Sequence, residues 1–254
     1  MRNVIEAGIK DYIRNYQKGA QIRTRWGEPL IGYADAKDSL FADLQKIIRP
    51  THALPTELLP TAKTVITYFI PFDRQIPLSN LRGRESSPEW AVSYIETNDL
   101  IVNLNKFLHE LLLEANYQSA VLPPTHNFDE EELLSDWSHK HAAYISGLGK
   151  FGLHQMLITE KGTCGRLGSV VTECRITATP RSSEEFCLYK YNKTCKKCLE
   201  KCVTGALSET SFARHLCYDF LLQMADKYAH EGMADVCGKC VSVVPCSFTR
   251  PVRE

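Results

Sequence analysis

The stretches FCLYKYNKTCKKCLEKCVTGAL at residues 186–207 and CGKCVSVVPC at residues 237–246 decide how this chain is interpreted. With Cys217 between them, they hold eight of its ten cysteines: Cys187, Cys195, Cys198, Cys202, Cys217, Cys237, Cys240 and Cys246. Soft thiolate ligands select iron–sulfur clusters or zinc. Because a 4Fe-4S cluster takes four thiolates, eight cysteines are enough for two such clusters.

The spacing of the first cysteines favours iron–sulfur clusters over zinc. Cys195, Cys198 and Cys202 reproduce the last three positions of the bacterial run C-x2-C-x2-C-x3-C-P, whose fourth cysteine ligates the other of two clusters. The first position is displaced to Cys187, and Val203 replaces the proline. Zinc stays open as an alternative, because C-x2-C pairs also build zinc ribbons. A disulfide framework is disfavoured, since such frameworks belong to small secreted domains.

Composition excludes several classes of protein. The chain has 254 residues, 44% of them apolar, which is enough for a sizeable core. Its formal net charge of zero disfavours broad nucleic-acid binding, which needs a basic surface. It contains no apolar run of membrane-spanning length, and its N-terminus does not read as a signal peptide. We therefore expect a cytoplasmic protein with no membrane partner.

The pattern of apolar residues divides the chain near residue 180. Residues 1–180 alternate predicted helices and strands: a helix at the N-terminus, a buried strand TVITYFI at 64–70, a helix at 99–117 capped by Asn98 or Asp99, a strand SAVL at 119–122, a helix at 130–146 that ends at Gly147, and strands at 154–159 and 168–172. Residues 181–254 form the cysteine-rich part. The polar segment TATPRSSEE at 177–185 marks the boundary.

Three glycines in the motif Gly147-x-Gly149-x-x-Gly152 formally match a dinucleotide-binding fingerprint. A true fingerprint follows a strand and opens a helix. These glycines instead follow a predicted helix and precede a predicted strand, which disfavours a nicotinamide cofactor. They could serve as a helix cap and a tight turn, or they could contact a different cofactor.

The glycine run and the cysteines together point to that cofactor. The stretch SGLGKFGLHQMLITEKGTCGRLGSVVTE at 146–173, followed by the two cysteine runs, resembles the cobalamin-dependent epoxyqueuosine reductases and the related reductive dehalogenases. The resemblance covers residues 138–251. It implies an α/β (α+β) core of the nitroreductase or flavin-reductase type that binds a corrinoid (1–180). A small ferredoxin-like module with two 4Fe-4S clusters would follow it (181–254).

The resemblance also implies which residues bind the cofactors. Cys187, Cys195 and Cys198 would hold one cluster together with Cys246, and Cys202, Cys217, Cys237 and Cys240 would hold the other. The corrinoid, cobalamin or a relative, would contact Gly147, Gly149, Gly152, His154, Gly165, Arg166 and Gly168. Arg166 could bind a corrinoid amide or phosphate through its planar guanidinium. Cys164 and Cys174 lie outside both cysteine runs.

Two departures from the family pattern bear on function. Epoxyqueuosine reductases carry a proton-donating aspartate about fourteen residues before the glycine run, where this chain has Leu133, with Asp136 nearby. The chain also ends soon after Cys246, where those enzymes usually continue into a region that helps to hold tRNA. Transfer RNA is therefore not an expected partner.

The predicted function is electron transfer from 4Fe-4S clusters to the cobalt of a bound corrinoid. The electron donor would be a ferredoxin or flavodoxin, and a separate corrinoid protein is a further possible partner. One alternative is a cobalamin-dependent reductase of epoxyqueuosine or of a halide. Another is an electron carrier or corrinoid-trafficking protein without a substrate of its own. An acid or tyrosine in the corrinoid pocket would favour a reductase.

Overall fold

The computed structural model describes residues 1–252, which form a mixed α/β fold with small sheets. The helices are α1 (Arg2–Tyr16), α2 (Ser39–Ile47), α3 (Pro55–Leu58), α4 (Gln75–Ser79), α5 (Pro88–Glu114), α6 (His139–Ile145), α7 (Leu188–Asn192), α8 (Lys197–Glu200) and α9 (Arg214–Lys227). The strands are β1 (Leu30–Asp35), β2 (Thr64–Pro71), β3 (Ser119–Val121), β4 (Phe128–Asp129), β5 (Leu134–Ser135), β6 (Gly149–Phe151), β7 (Leu157–Thr159) and β8 (Gly165–Thr172). In the described part of the chain, no helix has the length and apolar content needed to cross a membrane.

An antiparallel sheet with strand order β1-β2-β8-β3 forms the centre of the molecule. Every residue of β2 is buried, which confirms the strand predicted at 64–70. Its β-branched and aromatic side chains suit a strand that is covered on both faces. Ile66 pairs with Tyr33 on one side and with Val170 on the other. The sheet thereby places the N-terminal end of β8, which carries Arg166, beside the end of β2.

The long helix α5 covers the sheet and begins well before the predicted start. Ser87 caps it by accepting a hydrogen bond from the Trp90 backbone N–H, and Pro88 occupies its first turn. Both features are standard helix-start chemistry. They outcompete the predicted caps at Asn98 and Asp99, which lie inside the helix. Helix α1, which was predicted from its apolar spacing, is confirmed and packs against α5.

The helix predicted at 130–146 is wrong over its first half, where strands β4 and β5 form a small hairpin. The carboxylate of Asp129 accepts hydrogen bonds from the backbone N–H groups of Glu131 and Glu132, and Leu133 adopts a positive φ of 54°. An aspartate that satisfies the following backbone donors favours a turn over a helix. Helix α6 therefore begins only at His139.

The cysteine-rich residues pack tightly against the earlier part of the chain. Val241 belongs to the same apolar core as the residues of β2 and α5, and Phe220 of α9 packs against Ala91 of α5. The turn between β7 and β8 is held by the backbone N–H of Thr163, which donates to the carbonyl of Cys246 at 3.0 Å. These contacts bring the cysteine runs over the sheet end that carries Arg166.

Candidate redox site

Four cysteines from opposite ends of the cysteine-rich region meet in one buried region, here called the first thiol group: Cys187, Cys195, Cys198 and Cys246. Cys187, Cys198 and Cys246 belong to an apolar cluster with Leu153 and Ile158 of the β6–β7 hairpin. Burial raises the pKa of the Cys198 thiol to about 11, and the neighbouring thiols of Cys187 and Cys195 raise it further in the same direction. Such a group of buried thiols favours a bound cation that would compensate its negative charge when ionised.

The other four cysteines form the second thiol group: Cys202, Cys217, Cys237 and Cys240. Burial raises the pKa of Cys217 to about 11, with smaller contributions from Cys237 and Cys202. Burial also raises the pKa of Cys240 well above its usual value, and all three other thiols of the group act in the same direction. Cys240 also packs against the apolar cluster that contains Cys187, Cys198 and Cys246, so the two groups adjoin.

The arrangement of the thiols bears on which metal group each set of cysteines could hold. Among residues 1–252, no three His, Cys, Asp or Glu side chains converge closely enough to hold one metal ion. A structural zinc ion needs four ligands around a single atom. A 4Fe-4S cluster likewise takes four thiolates, so the number of ligands fits both.

Protein contacts hold the turn between Cys237 and Cys240 rigidly. Gly238 has a φ of +68°, and a Cβ there would lie 2.1 Å from the Trp90 ring. The Lys239 ammonium donates hydrogen bonds to the carbonyls of Asn80 and Arg82, at 2.9 and 2.7 Å. The Asn80 side-chain amide in turn donates to the Cys237 carbonyl at 2.9 Å. Only glycine fits the second position of this turn.

His154 contacts the first thiol group directly. Its Nδ1 accepts a hydrogen bond from the Met156 backbone N–H at 3.1 Å, so the ring hydrogen of the neutral imidazole is on Nε2. Nε2 lies 3.3 Å from Cys246 Sγ, in position to donate to it. Burial lowers the pKa of His154 to about 4, so the ring is neutral at physiological pH.

A cleft lies between β8, α6, α9 and the second thiol group. It consists of three adjoining cavities of about 300, 240 and 880 Å³, and Lys140, Met156 and Arg166 line all three. All four thiols of the second group line the cavity of about 300 Å³. The wider part of about 880 Å³ extends towards Phe128 and Leu133. A large cofactor in this cleft would therefore lie directly against the second thiol group.

A polar network of Tyr94, Asp235 and Arg166 forms one wall of the cleft. The Tyr94 hydroxyl donates to Asp235 Oδ1 at 2.6 Å, and the Arg166 guanidinium lies 4.2 Å from the centre of the Tyr94 ring. The His126 Nε2 lies 3.6 Å from the same Asp235 oxygen. Burial raises the pKa of Tyr94. The charge of Arg166 opposes this shift and that of Asp235 adds to it, so the hydroxyl keeps its proton at neutral pH. The buried Nε of Arg166 has no hydrogen-bond partner among residues 1–252.

The structure brings three of the predicted corrinoid contacts to the cleft and leaves four outside it. Gly165, Arg166 and His154 line it. The other four, Gly147, Gly149, Gly152 and Gly168, are not among the lining residues. The position of a Cβ in these four is filled by protein atoms, for example by the Ile158 carbonyl oxygen, 2.0 Å from a Cβ at Gly149. Gly147 has a φ of +75° just after α6. These glycines allow close packing of the protein itself.

The two positions considered for a proton-donating aspartate, Asp136 and Leu133, have different surroundings. Asp136 accepts a hydrogen bond from the Thr51 hydroxyl and forms an ion pair with Arg49, and it does not line the cleft. Leu133 lines only the wide outer part. The acid that does face the cleft is Asp235, which sequence reasoning missed even though it lies two residues before Cys237. Tyr94 was not predicted as a site residue, because its position in α5 matches that of the other buried apolar residues of the helix.

Comparisons with known proteins agree with the resemblance stated from the sequence. No protein-family model and no curated protein matches the chain. A Bacillus subtilis epoxyqueuosine reductase, solved with its catalytic loop swung out of the active site, matches with a TM-score of 0.58 and 18% identity over 95% of this chain and 66% of that one. An epoxyqueuosine reductase bound to an epoxyqueuosine-modified tRNA-Tyr stem loop matches at 0.58, with 20% identity and the same coverage.

A second class of structures matches equally well. The catabolic reductive dehalogenase NpRdhA, in complex with 3-bromo-4-hydroxybenzoic acid, has a TM-score of 0.58 and 11% identity over 97% of this chain and 37% of that chain. The chain thus spans just under two thirds of the epoxyqueuosine reductases and a smaller share of the dehalogenase. Its fold is that of the epoxyqueuosine reductase and reductive dehalogenase-like proteins, as the sequence predicted.

Proposed function

We propose that this chain is a corrinoid-dependent reductase with two 4Fe-4S clusters. The observation that carries the proposal is that the second thiol group forms a wall of the same cleft that Arg166 and Tyr94 line. In this proposal, residues 1–180 act as a nitroreductase-like corrinoid-binding core and residues 181–254 as a ferredoxin-like module. When bound, the clusters and the corrinoid supply one-electron transfers at low potential.

The two thiol groups are proposed as the two ligand sets. Cys187, Cys195, Cys198 and Cys246 would hold the cluster farther from the cleft, and Cys202, Cys217, Cys237 and Cys240 would hold the nearer one. Their burial supports this role, because buried thiolates need a cationic group between them. Cys240, a member of the second group, packs against the apolar cluster that contains three thiols of the first, which supports electron transfer from the first cluster to the second.

Arg166 is proposed as the main polar contact for the corrinoid. Its side chain lines a cleft whose remaining lining is largely apolar, as suits a wide macrocycle with polar side chains. Its buried Nε has no hydrogen-bond partner among residues 1–252. A buried donor without a partner carries a cost that a bound amide or phosphate oxygen would relieve. Gly165, beside Arg166, contributes to the same cleft wall.

The Tyr94–Asp235 pair favours a reductase over a carrier without a substrate. Reductive cleavage of a carbon–halogen or epoxide carbon–oxygen bond consumes two electrons and at least one proton. Tyr94 holds a proton at the cleft wall, and Asp235 orients its hydroxyl. A carrier protein needs no such proton at its cofactor. This pair meets the condition that the sequence set for a reductase, a pocket that holds an acid or tyrosine.

Transfer RNA is a second candidate substrate, contrary to the expectation from the sequence. The observation that favours it is the matching structure of an epoxyqueuosine reductase with a tRNA stem loop. Here too the outer cleft is wide, at about 880 Å³, and the exposed Arg214 lies at its rim. A small halogenated aromatic is the competing candidate, supported by the dehalogenase match.

Anaerobic reconstitution tests the proposal. We expect about eight irons and eight sulfides per chain, as two four-thiolate clusters require, and cobalamin binding with a Kd of about 1 μM or below. Arg166→Ala should weaken cobalamin binding, whereas Arg14→Ala, on the exposed face of α1, should not. Stoichiometric zinc without sulfide, or no cobalamin binding by cluster-loaded protein, would overturn the proposal.

Substrate turnover then separates the reductase from the carrier. Cobalamin-loaded protein should dehalogenate a bromophenol or reduce an epoxyqueuosine-containing stem loop, and the productive substrate identifies the class. Tyr94→Phe should slow turnover by about 100-fold or more, the usual contribution of a positioned proton donor, while leaving cobalamin affinity unchanged. Tyr12→Phe, on α1, serves as the matched control. Turnover of neither substrate would favour the carrier.

A further inference from the structure

One member of the first thiol group reaches the protein surface. The side chains of Cys187, Cys198 and Cys246 are buried, with exposed fractions of 8, 7 and 9%. Cys195, on the turn between α7 and α8, is partly exposed. Because electron transfer slows steeply with distance, an external carrier would deliver electrons most rapidly near Cys195.

Lysines surround this exposed cysteine. Residues 187–201 contain five lysines and a single acid, Glu200, in a chain whose formal net charge is zero. Four of these lysines, Lys190, Lys193, Lys196 and Lys197, are exposed. Lys197 pairs with Glu200 at 2.7 Å and Lys196 with Glu209 at 2.5 Å. Within residues 1–252, Lys190 and Lys193 have no ion-pair partner, so this surface keeps a positive charge.

An exposed aromatic side chain lies among these lysines. Tyr191 is 61% exposed, although tyrosine usually buries much of its ring. The Lys193 ammonium lies over the neighbouring Tyr189 ring, 4.4 Å from its centre. An aromatic residue within a polar, charged rim is the usual composition of a protein–protein interface.

We propose that Lys190, Tyr191, Lys193, Lys196 and Lys197, here called the lysine face, dock an acidic one-electron carrier protein. The proposal rests on the proposed function, because it requires a cluster held by the first thiol group. On docking, the reduced carrier loses one electron and that cluster gains it, and no bond forms or breaks. The second thiol group lies at the cleft. Electrons would therefore enter the protein at the first thiol group and reach the cleft through the second.

Electrostatics would set the rate of this association. A positive surface attracts an acidic partner over distances of about a Debye length, roughly 10 Å at 0.1 M salt, and can raise association rates by 10-fold or more. Charges at the rim of an interface act chiefly on this rate and on its salt dependence. The proposal therefore predicts a salt-dependent reduction rate.

Stopped-flow reduction of the cluster-loaded protein by an acidic ferredoxin tests the proposal. In the double variant Lys190→Glu/Lys193→Glu, the second-order rate constant should fall by about 10-fold or more at low salt, and its salt dependence should flatten. The control Lys37→Glu/Lys106→Glu makes the same charge change at exposed lysines of the first part of the chain. Its rate constant should stay within about twofold of wild type.

A small uncharged reductant separates docking from cluster integrity. Photoreduced deazaflavin should reduce wild type and both double variants equally fast, since it needs no docking surface. If the lysine-face variant accepts electrons from ferredoxin as fast as the control variant, the docking proposal is overturned and the proposed function stands. If reconstituted wild type contains no iron–sulfur cluster, both proposals fail before any ferredoxin is added.

Discussion

The Nε2 of His154 lies 3.3 Å from the sulfur of Cys246, and the ring is oriented for donation by the Met156 N–H at Nδ1. The sequence placed this histidine beside a corrinoid, because it follows the glycine run. The structure shows that it also contacts the first thiol group, and it lines both the cleft and the cavity among those thiols. Hydrogen bonds to cluster sulfurs are one of the factors that set reduction potential.

Replacement of His154 by Phe should therefore lower the reduction potential of the cluster proposed at the first thiol group. A donated hydrogen bond stabilises the more negative, reduced state. The loss of about 1 kcal/mol of this stabilisation corresponds to roughly 40 mV for a one-electron couple. Redox titration monitored by paramagnetic resonance measures the shift. His141→Phe, at a cleft residue with no thiol contact among the described residues, should leave both potentials unchanged. Equal shifts in the two variants would contradict the assignment.

Single cysteine substitutions should remove different clusters. Cys202→Ala should abolish the cluster of the second thiol group and Cys246→Ala that of the first, because the two residues lie in separate groups although Cys202 follows Cys198 in one run. Iron analysis and paramagnetic resonance identify the cluster that is lost. Cys174→Ala is the control, since Cys174 lies outside both runs, and it should retain both clusters. Loss of one and the same cluster in both ligand variants would exclude the crossed arrangement.

Gly238→Ala should selectively disrupt the cluster proposed at the second thiol group. Its φ of +68° strains any other residue, and the new Cβ would overlap the Trp90 ring at 2.1 Å, so the turn that carries Cys237 and Cys240 must move. Gly205→Ala is a matched control with a φ of +71° and no atom within 4 Å of the new Cβ. It should cost only about 1 kcal/mol in unfolding free energy. Equal iron content in the two variants would show that the Trp90 contact is unimportant.

Acid should destabilise the fold through His139. Its ring accepts from the Ser169 hydroxyl at Nδ1 and donates to the Pro123 carbonyl from Nε2, at 2.8 and 2.9 Å. Burial lowers its pKa from the usual 6.5 to about 4, so below pH 6.5 the unfolded chain binds a proton that the folded protein does not. Stability should therefore fall as pH drops from 6.5 to 4, by roughly 3 kcal/mol for this residue.

Denaturant unfolding at pH 7.5 and pH 5 measures this effect. His139→Gln should reduce the loss of stability between the two pH values, because glutamine does not titrate. His230→Gln, at an exposed histidine, should show the same loss as wild type. An unchanged pH dependence in His139→Gln would contradict the assignment.

The sequence predicted the elements whose pattern is local. The buried strand β2 follows from an unbroken β-branched and aromatic run, and α1 follows from the spacing of Ile5, Ile9 and Ile13. Two helix starts were predicted wrongly from the sequence. At Asp129 the side chain bonds the following backbone N–H groups and forms a turn, and at Ser87 the helix cap lies outside the apolar pattern. Both failures arise because a single hydrogen bond decides the outcome at an element boundary.

By itself, the sequence determined which reactive groups are present, eight thiols in two runs, and showed a resemblance to the epoxyqueuosine reductases and reductive dehalogenases that the matching folds confirmed. Tertiary structure alone decided which groups meet. Tyr94 and Asp235 are far apart in the chain, and only the packing of α5 against the cysteine-rich region joins them beside Arg166. Likewise, only the tertiary structure places protein atoms at the Cβ positions of Gly147, Gly149 and Gly152. The physical reason is that residue type limits which interactions are possible, whereas long-range packing selects the partners.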